Sequence, residues 1–129
     1  MSFDALLGGL IGAIFGAVLI AGVILVVFRL FKIDMPRFMN VWQGAYAASV
    51  VVILADWIAT GLLPDWSHLL MLPLVLIGAF FAYDRILQNE AGERLGRKPA
   101  VVAVASHVIF STAMFVLVYP LLIAAVAGA

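Results

Sequence analysis

The sequence predicts an all-α integral membrane protein, a bundle of four transmembrane helices with both termini on the non-cytoplasmic side. Three observations predict it. The 129 residues are 67% hydrophobic and 11% charged, with a mean hydropathy of +1.24, whereas soluble domains run roughly half apolar and about a quarter charged. The apolar residues fall into four runs of the length that crosses a hydrocarbon core of about 30 Å as helix, with every backbone polar group paired inside the segment. Finally, all seven Lys and Arg lie in or beside two of the three connections.

The first span is expected from about Ala5 to Phe31. It lacks a basic leader and exceeds the length of a cleavable apolar stretch, so it reads as a retained helix. Met35, Pro36 and Arg37 separate it from the second span, about Phe38 to Thr60. Gly61 is a candidate C-terminal cap, followed by a turn through Pro64 and Asp65. The third span is expected from about Leu69 to Leu87, capped by Asp65 or Ser67. The only strongly polar run, Gln88 to Lys98, forms the one real loop. Pro99 then suits the first turn of the fourth span, about 100–125. Pro73 and Pro120 remove backbone donors inside apolar segments and are expected to kink the third and fourth helices. One domain, residues 1–129, accounts for the chain.

Orientation follows from charge, because cytoplasmic connections retain Lys and Arg. Arg29, Lys32 and Arg37 flank the first connection; Arg85, Arg94, Arg97 and Lys98 flank the third. These two connections are therefore expected in the cytoplasm and both termini outside. Trp42 and Tyr83 would sit at the inner interface, and Trp57, Trp66 and Tyr119 at the outer one. The pattern and the compact length suggest a bacterial inner (plasma) membrane.

Several chemistries are excluded or unsupported. There is no Cys, hence no disulfide, thiolate metal site or Cys nucleophile. The formal charge is zero with no basic tail, so nucleic acid is not an expected partner. No hydrolase elbow, zinc-protease motif, phosphate loop or dinucleotide fingerprint is present. No catalytic residue, metal site or cofactor is expected; the two histidines, His68 and His107, lie at opposite depths.

The strongest motif lies in the first helix. Gly8, Gly12 and Gly16 recur every four residues, and Gly9, Ala13, Ala17 and Ala21 form a second small-residue row beside them. In lipid no hydrophobic drive joins helices, and small residues permit the close backbone approach that does. The face packs either within the monomer or against another subunit.

Polar groups at membrane depth are the remaining candidates. Asn40, Gln43 and Tyr46 on the second helix and His107 and Ser111 on the fourth lie at similar expected depth, either as a pocket open to the cytoplasm or as hydrogen-bonding glue between helices. Asp56 is a carboxylate within two turns of the outer interface, either anchored there or acting as an ion or proton site. Arg29, Lys32, Arg37 and Arg85 form a basic rim, either paired with nearby acids or holding an anionic lipid headgroup.

The leading functional expectation is a non-enzymatic membrane subunit or assembly protein, a homo-oligomer or part of a larger complex in the lipid bilayer, packed through its glycine-rich first helix. A small-solute or ion conduit using Asp56 and His107 is the alternative. A membrane enzyme with a cytoplasmic-side pocket for a lipophilic substrate is a third.

Overall fold

Ser2 opens the first helix: its hydroxyl accepts from the Ala5 N–H at 3.1 Å, satisfying one of the donors a helix start leaves unpaired. The computed structural model describes residues 2–62, 68–89 and 91–128, and the side chains of these except 68 and 70. Helix α1 spans Phe3–Leu30. It ends in a Schellman cap, in which the Ile33 N–H bonds the Phe28 carbonyl at 2.9 Å and the Lys32 N–H that of Arg29 at 3.3 Å. Lys32 takes the left-handed conformation at φ 56°, the only described non-glycine residue to do so.

An extended segment then leads to α2, Phe38–Leu62. Gly61 does not end this helix as expected: α2 runs on to Leu62, and the positive-φ glycines are Gly92 and Gly96. Pro64 disfavours helical backbone only at the residue before it, which leaves Gly61 and Leu62 free to remain helical. The proposed caps Asp65 and Ser67, with Trp66, lie outside the described residues. Helix α3 spans His68–Ile86 with Pro73 inside it.

The polar run is a small folded hairpin. Asn89 accepts from Gly92 at 3.0 Å and donates to Glu93 at 2.9 Å, and the Leu95 N–H bonds the Leu87 carbonyl at 3.3 Å. Gly92, at φ 83°, supplies the left-handed residue of the turn. Helix α4, Arg97–Ala113, starts from Gly96 and buries Pro99 in its first turn. It continues through a π-helical turn, Met114–Val118, into α5, Tyr119–Ala127. Pro120 explains the turn. Its ring cannot donate to the carbonyl four residues back, and the Tyr119 N–H before it bonds Met114, five residues back.

Among the described residues the regular secondary structure is thus all helical, apart from an isolated bridge between Gln88 and Arg94. Phe3–Leu30, Phe38–Leu62 and Arg97–Ala127 are long and apolar enough to cross a membrane. Packing runs in a ring: α2 lies against α1 and α3, and α4 closes on both.

The core sits in the half of the bundle nearest the Lys and Arg residues, here called the charged end. Ile24, Phe28, Val41, Tyr83 and Leu87 are almost wholly buried there, with Ala45, Ala48, Ala100 and Ala103 letting the backbones close. Toward the opposite end burial thins, with Leu6 and Ala59 buried there. From Met114 onward no described residue of the fourth helix is buried.

Candidate functional site

Helices α2 and α3 approach closely at two glycines. A methyl placed on Gly44 would lie 2.9 Å from Cδ1 of Tyr83, and one on Gly78 would lie 2.8 Å from Cγ1 of Val51. The Tyr83 ring therefore seats in the notch that Gly44 leaves in α2. Tyr83 has no exposed surface, so it is a core residue and not part of an interfacial aromatic belt. Ala79, Tyr83 and Leu87, four residues apart, make up the buried stripe of α3 and the chain just after it.

From this notch the phenol reaches α4. The Tyr83 hydroxyl and Nδ1 of His107 are 2.7 Å apart, and the two rings meet edge to face. Burying either polar group alone would be costly, and the bond between them offsets that cost. One turn earlier on α2, Asn40 performs a similar service for the end of α3. Its amide donates to the Ile86 carbonyl at 2.6 Å, and its oxygen accepts from the Gln88 N–H at 2.8 Å. Both polar atoms of Asn40 are occupied in holding the hairpin to the bundle.

Beyond the Tyr83–His107 pair, toward the opposite end, the four helices border an open-sided cavity of about 430 Å³. All four helices line it: Gly9 and Ala13 from α1, Ser49 and Ile53 from α2, Leu72 from α3, and His107 from α4. Ser49 returns its hydroxyl to the Ala45 carbonyl at 2.9 Å. The cavity wall is thus mostly aliphatic, and its polar side chains are Ser49, His107, Ser111 and Thr112.

The expected polar residues occupy three places. Asn40 and Gln43 line a shallow pocket of about 250 Å³ at the charged end, with Arg37 and Gln88. His107 and Ser111 line the internal cavity. Tyr46 faces α1, donating to the Leu10 carbonyl at 3.5 Å, and stacks on Trp42, which donates to the Ile14 carbonyl at 3.0 Å. Asp56 is exposed on the half of α2 away from the charged end and lines none of these pockets. Arg29, Lys32, Arg37 and Arg85 are exposed at the charged end.

The two small-residue rows of α1 part company. Ala17 and Ala21 are wholly buried, and Gly9 lies against Ile53. Gly8, Gly12 and Gly16 have open space where a side chain would stand. Beside this open row an apolar groove of about 360 Å³ separates α1 from the far part of the fourth helix, lined by Gly16, Leu19, Phe115, Tyr119 and Leu122 among others.

Sequence reasoning singled out His107 and Asn40 but missed their partners, Tyr83 and the Ile86 carbonyl. It also missed Gly44 as a packing residue. The small pair Gly44 and Ala48, one turn apart, was the available signal.

Comparison of the chain with protein-family models, with curated proteins and with solved structures finds no match.

Proposed function

We propose that this protein is a non-enzymatic membrane subunit that crosses the bilayer four times, with both termini outside, and pairs with a second copy of itself through α1. The observation that carries the reading is the open row of Gly8, Gly12 and Gly16, one per turn, beside a groove that the chain's own helices leave unfilled. Charge bias inserts every copy in one orientation, so two copies present α1 in parallel. Parallel helices with glycine every fourth residue are the arrangement in which backbones approach closely in lipid. The exposed Phe115 and Leu122 bordering the groove provide bulk to pack beside the incoming helix. The bias toward one side also suits a bacterial inner membrane. α3, with 19 residues, supplies about 28 Å of helix and completes the fourth crossing.

Native mass spectrometry from mild detergent tests the pairing. The native chain is expected as a dimer, and Gly12→Leu as a monomer with unchanged helix content. A monomeric native chain, or a Gly12→Leu dimer of undiminished stability, defeats the proposal. Orientation is checked separately, because the chain has no Cys of its own. A thiol introduced as Ser2→Cys should react with a membrane-impermeant maleimide added outside intact cells, and one at Gly92→Cys only after permeabilisation.

A further inference from the structure

We infer that the cavity beyond the Tyr83–His107 pair is a binding site for a neutral lipophile with an aliphatic or isoprenoid tail and a carbonyl oxygen, which accepts a hydrogen bond from Nε2 of His107. The inference concerns the interior of one copy and does not depend on the pairing through α1.

Size comes first. At about 430 Å³ the cavity lies within the range of roughly 300–1,000 Å³ typical of small-molecule sites. It is set among all four helices, and most of the fully buried side chains lie on its charged-end side. On the α3–α4 side its lining includes Leu72, Leu76 and Val108, each more than a third exposed, so the cavity opens sideways toward the membrane. A molecule dissolved in the bilayer reaches it without crossing water.

The lining defines the charge of the occupant. Among the described residues no Lys, Arg, Asp or Glu contributes to the wall. A charged headgroup would be stripped of water there with no opposite charge to meet it, which disfavours phospholipids and ionised amphiphiles. The aliphatic walls instead favour a tail, with Gly9 and Ala13 forming a smooth side against which it can lie.

The hydrogen-bond network then defines the polar atom. The Tyr83 hydroxyl is buried, and its hydrogen must find an acceptor; among the described residues Nδ1 of His107 is the one brought to it. Tyr83 therefore donates, Nδ1 accepts, and in the neutral ring the remaining hydrogen lies on Nε2. No fully buried side-chain nitrogen or oxygen among the described residues lacks a partner. Nε2, to which no described residue brings a partner, is accordingly reached from the cavity that His107 lines. Its N–H asks for an acceptor. A ketone, quinone or ester carbonyl supplies one and carries no charge.

Photolabelling in proteoliposomes tests this. The probe is a dodecyl methyl ketone bearing a diazirine at mid-chain, with label positions read by peptide mapping. Saturable labelling of residues 49–53 and 72–76 is expected. An unlabelled benzoquinone with a decyl tail, or methyl laurate, should compete about tenfold better than dodecane, the margin of one hydrogen bond in an apolar site. Whichever of the two competes better identifies the source of the carbonyl. His107→Leu should abolish the margin over dodecane, and Ala13→Phe, which fills the cavity while leaving His107 in place, should abolish labelling altogether. Labelling that never saturates, that concentrates on the exposed Phe115 and Leu122, or that dodecane competes as well as the carbonyl compounds overturns the inference. So does unchanged labelling of Ala13→Phe.

Discussion

Replacing Gly44 by Ala adds one methyl group, and in most exposed helix positions that exchange stabilises by up to about 1 kcal/mol. Here the added carbon would stand 2.9 Å from Cδ1 and 3.2 Å from Cε1 of Tyr83. Carbon atoms settle at about 3.5–4.0 Å, so either α3 moves off or the ring turns, by something under 1 Å. The ring has little room to turn, because it is wholly buried and its hydroxyl is held 2.7 Å from His107. Moving α3 strains its other tight contact, where Gly78 meets Val51. Overpacking of this kind costs about 1–3 kcal/mol, and any loosening of the Tyr83–His107 bond adds about 1–3 kcal/mol. Against the propensity gain of up to about 1 kcal/mol, a net loss of about 1–5 kcal/mol is expected. Reversible unfolding in mixed micelles with increasing SDS measures it. Gly22→Ala is the matched control, since nothing of the chain lies within 4 Å of its added methyl group. The two variants should differ in sign. If Gly44→Ala is as stable as the native chain, or follows Gly22→Ala, then α2 and α3 do not meet as described.

Two further outcomes follow from backbone and side-chain geometry. Lys32 holds a left-handed conformation that costs a non-glycine residue about 1 kcal/mol or more, so Lys32→Gly should raise the unfolding midpoint in the same assay and Lys32→Val lower it. Asn40→Asp keeps the acceptor for the Gln88 N–H but loses the donor to the Ile86 carbonyl. It should cost about 1–3 kcal/mol and speed tryptic cleavage at Arg94 and Arg97, and unchanged cleavage would mean that Asn40 does not hold the hairpin.

The candidate site was only half legible in the linear chain. His107 and Asn40 were conspicuous because a polar side chain within an apolar run is expensive wherever it sits. What each one bonds was not visible, because the partners are a backbone carbonyl and a tyrosine that reads equally well as an interfacial aromatic. Tyr83 turns inward because Gly44, on a different helix, leaves it a notch. Nothing within α3 alone states that.

Composition, run length and charge position determined by themselves that the chain is made for lipid, where its helices fall and which end of the bundle carries the charge. These are properties of single segments, set by the cost of unpaired backbone and of charge in hydrocarbon. The tertiary structure decided which face of each helix turns inward. In water an apolar stripe marks the buried face, but α1 is apolar around its whole circumference, and lipid accepts either side equally well. Two small-residue rows therefore stood side by side with no difference in hydrophobicity to separate them. Contact with α2 chose the row of Gly9, Ala17 and Ala21 for the interior and left Gly8, Gly12 and Gly16 open.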